Sequence, residues 1–292
     1  MLKSRPIQTA PAHPVTTWVP HGNADEPADR WQSTNQVKPW DFACEVSMPH
    51  YESLDTLGVV VALLRAQTIR PFISIIDCGS SRETCDKLEE MRAADLEIHY
   101  HRFNGVRHLA DFPATACDFA FSAARSETLV LMHTDVFMRR RDSLESLIME
   151  CTDKTPIVGF QMTPRGHPHW KFAVTHTFAA FRMKIIDGIG GGWSLRRAAR
   201  YYGVEHSINS ALGDYLDTET CMAWLMTENG IAPRFIGEEK NFEATVHPLI
   251  RHVRTLTGSR LYCPTKRRDA EKRLEEAMEE AVANLASWNR QQ

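Results

Sequence analysis

The sequence predicts a mixed α/β fold with a mostly parallel central sheet flanked by helices. Three observations carry this expectation. From residue 42 to 135, apolar strand-like runs alternate with helix-like segments in the order β-α-β-α-β-α-β, which favours parallel pairing through right-handed crossovers. The run Leu129-Val130-Leu131-Met132 is short, wholly apolar and flanked by polar residues, as suits a strand buried on both faces. It ends at His133-Thr134-Asp135. In open α/β sheets ligands gather at the carboxyl ends of strands. An aspartate there can hold a divalent cation, and the cation a phosphate; the alternative is a loop carboxylate that caps its turn.

The elements follow in order. Residues 1–40, rich in Pro, Thr, Asn and His, read as an extended arm docked in part through Trp18 and Trp31. Phe42 to Met48 is the first strand, stopped by Pro49. Ser53 to Thr68 is a helix that is apolar over a wide arc, so well buried. Pro71 to Asp77 is a second buried strand. Ser80-Ser81-Arg82-Glu83 has capping-box spacing and opens a helix to about Ala94. Leu96 to Tyr100 alternates as a third strand. Pro113 suits the first turn of the next helix, which leads to the strand ending at Met132.

After Asp135 the spacing predicts a helix over Ser143–Cys151 and strands over Pro156–Met162 and Thr175–Met183. Gly188-Ile189-Gly190-Gly191-Gly192 is a turn, since the dinucleotide fingerprint has another spacing and a strand–helix context. Thr218 to Asn229 reads as a helix ended by Gly230. Arg234–Ile236 and Ala244–Val246 are short strands. Asp269 to Trp288 repeats Ala270, Leu274, Ala277, Met278, Ala281, Val282, Leu285 and Trp288 at helical spacing, with mixed charge opposite. That pattern predicts a helix packed on the body or on a partner, including a second copy of the chain.

Bulk properties exclude several classes. The chain has 292 residues, 43% hydrophobic, enough for a sizeable core. Its net charge of -3 leaves no electrostatic footprint for nucleic acid. No stretch approaches a transmembrane span or a signal core. Seven scattered cysteines without a Cys-x-x-Cys pair read as reduced packing residues of a cytoplasmic protein.

Four signatures, taken in order, resemble GT-A fold glycosyltransferases of family two. Val46-Ser47-Met48-Pro49-His50-Tyr51-Glu52 is similar to that family's first strand and Pro-x-Tyr turn. Ile75-Ile76-Asp77-Cys78-Gly79-Ser80-Ser81 is similar to its second-strand Asp-Gly-Ser signature. Ala116-Cys117-Asp118-Phe119-Ala120, followed by Leu131-Met132-His133-Thr134-Asp135, resembles its helix, strand and Asp-x-Asp block. Leu216-Asp217-Thr218-Glu219-Thr220-Cys221, followed by Gly230, resembles the acidic helix start of the acceptor half. The likeness spans about Phe42 to Arg260 and departs at His133, Leu216, Cys117 and Asp118.

The resemblance implies a GT-A, Rossmann-like single domain over 41–262. Residues 41–140 would bind nucleotide and 141–262 acceptor; the arm lies before it and the amphipathic helix of 263–292 after. It implies a transferase that moves a sugar from a nucleotide-sugar donor, inverting, with Mn2+ or Mg2+ balancing the diphosphate leaving group. Asp135 would anchor the metal. His133 would accept a ribose hydroxyl, donate to a phosphate or join the metal. Asp77, Ser80, Glu52 and Pro49 would line the nucleotide site; capping or bracing is the alternative for Asp77. Asp217 would be the general base, with Glu219 as substitute and helix capping as the alternative role. A late histidine, His247 or His252, would complete the metal site, with Arg251 and Arg254 near the diphosphate. Gly166-His167-Pro168-His169-Trp170 reads as an acceptor loop. The competing class is a catalytically divergent nucleotide-sugar or carbohydrate-binding protein on the same fold.

Overall fold

The structure is a computed structural model that describes residues 42–92, 96–100, 111–162, 173–194, 198, 218–239, 244–253 and 264–290. The N-terminal arm with Trp18 and Trp31, the 166–170 segment, Leu216, Asp217, Arg254 and Cys263 lie outside the described residues. In chain order the strands and helices are β1 (Phe42–His50), α1 (Leu54–Arg65), β2 (Phe72–Asp77), α2 (Arg82–Arg92), β3 (Leu96–Tyr100), α3 (Asp111–Ala123) and β4 (Ser126–Met132). Then come β5 (Val136–Met138), α4 (Ser143–Glu150), β6 (Ile157–Met162), β7 (Val174–Arg182), α5 (Met183–Gly188) and α6 (Thr220–Glu228). Last are β8 (Arg234–Glu239), β9 (Thr245–Val246), β10 (Ile250–His252) and α7 (Pro264–Asn289).

The main sheet has the order β3-β2-β1-β4-β7-β6-β8. The first four strands of this order pair in parallel, as the alternating pattern predicts. β7 runs antiparallel to both β4 and β6, and β8 is again parallel to β6. Among the described residues β7 is therefore the one reversed strand, and the carboxyl ends of all other strands share an edge with its amino end. This mixed α/β arrangement, mostly parallel and flanked by helices, is the one that the GT-A resemblance implies.

β4 is buried on both faces, as its apolar run requires. Val130 and Met132 join the core under α1 and α7, while Leu129 and Leu131 join the core with α3, α5 and α6. All four are fully buried. α7 docks its Ala270, Ala277, Ala281 and Trp288 into the first core, leaving Val282 exposed. It begins at Pro264 rather than Asp269; proline at the first helical position needs no backbone donor. α6 ends as predicted, with Gly230 at φ 63 and the bonds Ile231 N–H to Met226 O and Gly230 N–H to Thr227 O, the paired pattern of a Schellman cap.

Several local expectations need correction. The chain after Asp135 enters β5 before reaching the helix. β5 pairs with β10, which pairs with β9, in a second, antiparallel sheet; β9 falls within the expected Ala244–Val246 strand, whereas the three-residue β5 and β10 carry too little periodicity to be read. α5 occupies the stretch before the glycine turn. The cap of α2 is Ser81, not Ser80: the Ser81 hydroxyl accepts from Thr84 N–H at 3.3 Å. The described cysteines are free, and all but Cys85 are buried.

Candidate metal centre

The reversal of β7 and the pairing of the small sheet build one cluster at the carboxyl edge of β4. His133 leaves β4 with its N–H bonded to Thr177 O, which puts it beside the amino end of β7. β10 lies against β5 with His252 opposite Val136, and Val253 N–H bonds Asp135 O at 3.2 Å. His252 is thus carried to Asp135, with its Nε2 3.3 Å from Asp135 Oδ1. His133 Nδ1 stands 3.9 Å from the same oxygen. The ligand atoms of His133, Asp135 and His252 all lie within 4.8 Å of one another.

A donor set must suit the ion it holds. Two ligands about 2.1 Å from one ion stand roughly 3–4 Å apart, and both separations from Asp135 fall in that range. The His133 and Asp135 side chains keep 29% and 13% of their exposure, against 2% for His252, so the cluster opens to solvent on the His133 side. These residues fit a divalent cation.

Behind the three lies a buried support. His252 Nδ1 donates to Glu239 Oε1 at 2.7 Å, and Thr177 Oγ1 donates to Glu239 Oε2 at 3.0 Å. Glu239 closes β8 and is fully buried. A carboxylate on one imidazole nitrogen fixes the ring and directs the other nitrogen outward. Next to it, His176 Nδ1 donates to Glu219 Oε1 at 2.8 Å. The His176 ring packs edge-on at 4.4 Å from His133 and at 5.9 Å from Trp193.

The protonation states follow from these neighbours. Burial opposes charge on His252, but the Asp135 and Glu239 carboxylates outweigh it and raise its pKa to about 9. His133 is pushed well below the ordinary histidine value, first by burial and then by the neighbouring His176 and His252. Asp135 is disfavoured as an anion by burial, yet His252 and His133 hold its pKa below the usual carboxylate value. Before any ion binds, His252 carries the positive charge of the cluster, and a metal would take the place of that proton.

The other sequence-predicted residues divide. Asp77 ends β2, but β1 separates it from β4, so the strands of Asp77 and Asp135 are not neighbours. Its carboxylate is buried and occupied: Oδ1 accepts from His50 Nδ1 at 2.9 Å and from Ser80 Oγ at 2.5 Å, and Oδ2 from Gly79 and Ser80 N–H. Burial disfavours the anion, but the bonds from His50 and Ser80 lower its pKa. Asp77 braces its own turn, with Ser80 as part of the brace. Glu52 takes up a left-handed φ of 48 and receives the Ser81 N–H and the Thr84 hydroxyl at the start of α2. Those bonds outweigh its burial and lower its pKa. Pro49 precedes His50 at the end of β1, half-buried.

A buried chain links this turn to the metal cluster. Ser53 N–H donates to His50 Nε2 at 3.3 Å, and Ser53 Oγ lies 2.8 Å from Thr134 Oγ1. Thr134 is the middle of the His-Thr-Asp triplet, so Asp77 reaches the 133–135 turn through His50 and Ser53.

Of the two late histidines, His252 is in the cluster and His247 is not. His247 packs edge-on against Phe160 at 5.2 Å and accepts Leu249 N–H on Nδ1. Arg251, expected near a diphosphate, points the other way and is bound to Glu276 and Glu280 of α7; neighbours in a strand face opposite sides. Glu219 is buried against His176. His50, His176, Thr177 and Glu239 were missed from sequence. The one available signal was polar residues at strand ends, Thr175-His176-Thr177 before an apolar run and Glu238-Glu239 after one.

No family model matches the sequence, and no curated protein matches it. Among solved structures, the chain is similar to a mannosyltransferase from Pyrobaculum calidifontis in complex with GDP-Man and Mn2+, at 15% identity and TM-score 0.45, over 89% of this chain and 79% of that one. It is similar to S. aureus TarS 1-349 in complex with UDP-GlcNAc, at 12% identity and TM-score 0.46, over 83% and 73%. It is also similar to GalNAc-T7 with UDP, GalNAc and Mn2+, at 13% identity and TM-score 0.48, over 68% of this chain and 44% of that one. These scores all fall below 0.5, so the functional reading rests on this chain's own residues. No described helix is long and apolar enough to cross a membrane.

Proposed function

We propose that this protein is a metal-dependent glycosyltransferase that moves a sugar from a nucleotide-sugar donor to a hydroxyl acceptor. The observation that supports it is the grouping of His133, Asp135 and His252 within 4.8 Å. They stand at the carboxyl end of β4, where the family resemblance puts the Asp-x-Asp block.

His133, Asp135 and His252 would hold the ion, Mn2+ or Mg2+ by the resemblance. When bound, the ion neutralises charge on the diphosphate leaving group. The rest falls to the chain. The brace of Asp77, Ser80, His50 and Glu52 fixes the β1–α1 and β2–α2 turns that border the nucleotide. Asp217, or Glu219 beside His176, takes the proton from the acceptor oxygen as that oxygen bonds to the anomeric carbon and the bond to the diphosphate breaks. Such a transfer inverts the anomeric centre.

The test incubates the full chain with a panel of nucleotide sugars, with Mn2+, with Mg2+ or with chelator, and measures release of nucleoside diphosphate. Metal-dependent release from one donor is expected. Binding of a nucleotide sugar without release under any ion would favour the divergent binding protein instead.

A further inference from the structure

We infer that the centre formed by His133, Asp135 and His252 selects a first-row transition ion of the Co2+ and Zn2+ class over Mg2+. This deepens the metal reading above and rests on the cluster being an ion site.

The donor set carries the inference. Two of the three ligands are imidazole nitrogens, and one carboxylate supplies the only negative charge among them. Imidazole suits Zn2+, Cu2+, Fe2+ and Ni2+, with Co2+ between Fe2+ and Ni2+ in the affinity order, whereas carboxylate, carbonyl and water oxygens suit Mg2+. Mg2+ also dehydrates reluctantly and is bound through carboxylates while keeping several waters. With imidazole at positions 133 and 252, the site offers one carboxylate's oxygens and one negative charge, and Mg2+ needs oxygen ligands and charge more than Co2+ or Zn2+ does.

The support behind the site points the same way. Glu239 holds His252 by Nδ1 and leaves Nε2 facing Asp135 at 3.3 Å. Thr177, on β7, holds the second oxygen of Glu239. Glu239 is fully buried, so it serves as a positioning residue for the imidazole and does not offer its oxygens to an ion entering from the His133 side. His252 is thereby fixed as a nitrogen ligand, and an outer partner of this kind raises the basicity of the ligand it holds.

The experiment titrates the full chain, freed of metal by chelation, with Co2+, Zn2+, Mn2+ and Mg2+ separately at one pH, by calorimetry. Visible absorption is recorded in the Co2+ arm. Co2+ and Zn2+ are expected to bind tighter than Mg2+ by at least about tenfold, with visible bands that His252→Ala abolishes. His133→Asp, which returns an oxygen ligand, is expected to narrow the ratio of Co2+ to Mg2+ affinity. Equal affinity for Co2+ and Mg2+ in the parent overturns the inference, as does an unchanged ratio in folded His133→Asp. If that variant does not fold, the parent's ratio and the Co2+ spectrum decide alone. Metal binding with this preference but no donor turnover would leave the inference standing and remove the transferase reading; donor turnover with Mg2+ bound as tightly as Co2+ would do the reverse.

Discussion

His252 donates from Nδ1 to Glu239 across 2.7 Å while its Nε2 stands 3.3 Å from Asp135. One imidazole, on β10 of the small sheet, is thus held between a carboxylate of the main sheet and one from the turn before β5. Glu239 ends β8 of the main sheet, and Asp135 lies in the turn between β4 and β5. The ring joins the two sheets at the candidate metal centre of His133, Asp135 and His252.

This relationship sets a pH dependence. The His252 pKa rises to about 9 in the folded chain, against about 6.5 unfolded. The stability from its charge is fully present below pH 6.5 and is lost as pH rises through 9, by up to roughly 3 kcal/mol. Urea unfolding of the metal-free protein should show a falling midpoint between those limits. His252→Gln should flatten that fall, and an equal fall in the variant would assign it to other groups.

Asp135→Asn should abolish metal-dependent binding of a nucleoside diphosphate. Asp135 is not a surface carboxylate, since its side chain keeps only 13% exposure and pairs with His252. Stability should therefore fall by about 1–3 kcal/mol, because a buried partner loses its counter-charge. Calorimetry with Mn2+ and nucleoside diphosphate reads the first effect and thermal unfolding the second; an unchanged affinity would remove Asp135 from the site.

Asp217→Asn and Glu219→Gln together locate the base. The variant that loses the proton acceptor should drop transfer by on the order of 10²–10⁴-fold, with nucleotide affinity nearly intact. α6 begins at Thr220 with Glu219 at its N-cap, so the capping role expected for Asp217 does not hold, and a carboxylate at 217 that is not the base should tolerate the change. Turnover within a few-fold of the parent in both variants would take the base outside this segment.

Gly159→Ala should destabilise the protein by about 1–3 kcal/mol. A Cβ at Gly159 would stand 2.7 Å from both Ala179 Cβ and Val174 Cγ1 on β7. These atoms belong to the packed strand that carries His176 and Thr177. Denaturant unfolding measures the loss, and a stability equal to the parent would show that β6 and β7 move apart at little cost.

Glu280→Gln should loosen the fastening of α7. Glu280 binds Arg139 at 2.6 Å and Arg251 at 3.0 Å, with 28% of its side chain exposed. Solvent screening limits the two pairs to a total of about 1 kcal/mol. The difference from the parent should shrink in high salt, and a salt-independent difference would point to packing rather than charge.

The alternating first half was readable because its signals are local. Leu129–Met132 is apolar whichever strands flank it, and its length and polar ends mark a buried strand. The spacing of Ala270, Ala277, Ala281 and Trp288 gave the buried stripe of α7 in the same way. Asp135 stands out in the sequence because it lies in the turn that follows such a strand. Asp77 ends one too, yet its carboxylate went to His50 and Ser80, since a buried anion takes the nearest donors.

The sequence by itself determined the α/β order, the central place of β4 and the triplet His133-Thr134-Asp135 at its end. Only the tertiary structure decided what meets that triplet. Reversal of β7 carried His176 and Thr177 to the carboxyl edge, and the pairing of β5 with β10 brought His252 rather than His247 to Asp135. Strand periodicity says which side chains share a face. It does not say which strands pair or in which direction, because pairing is set by hydrogen bonds and burial between segments far apart in the chain.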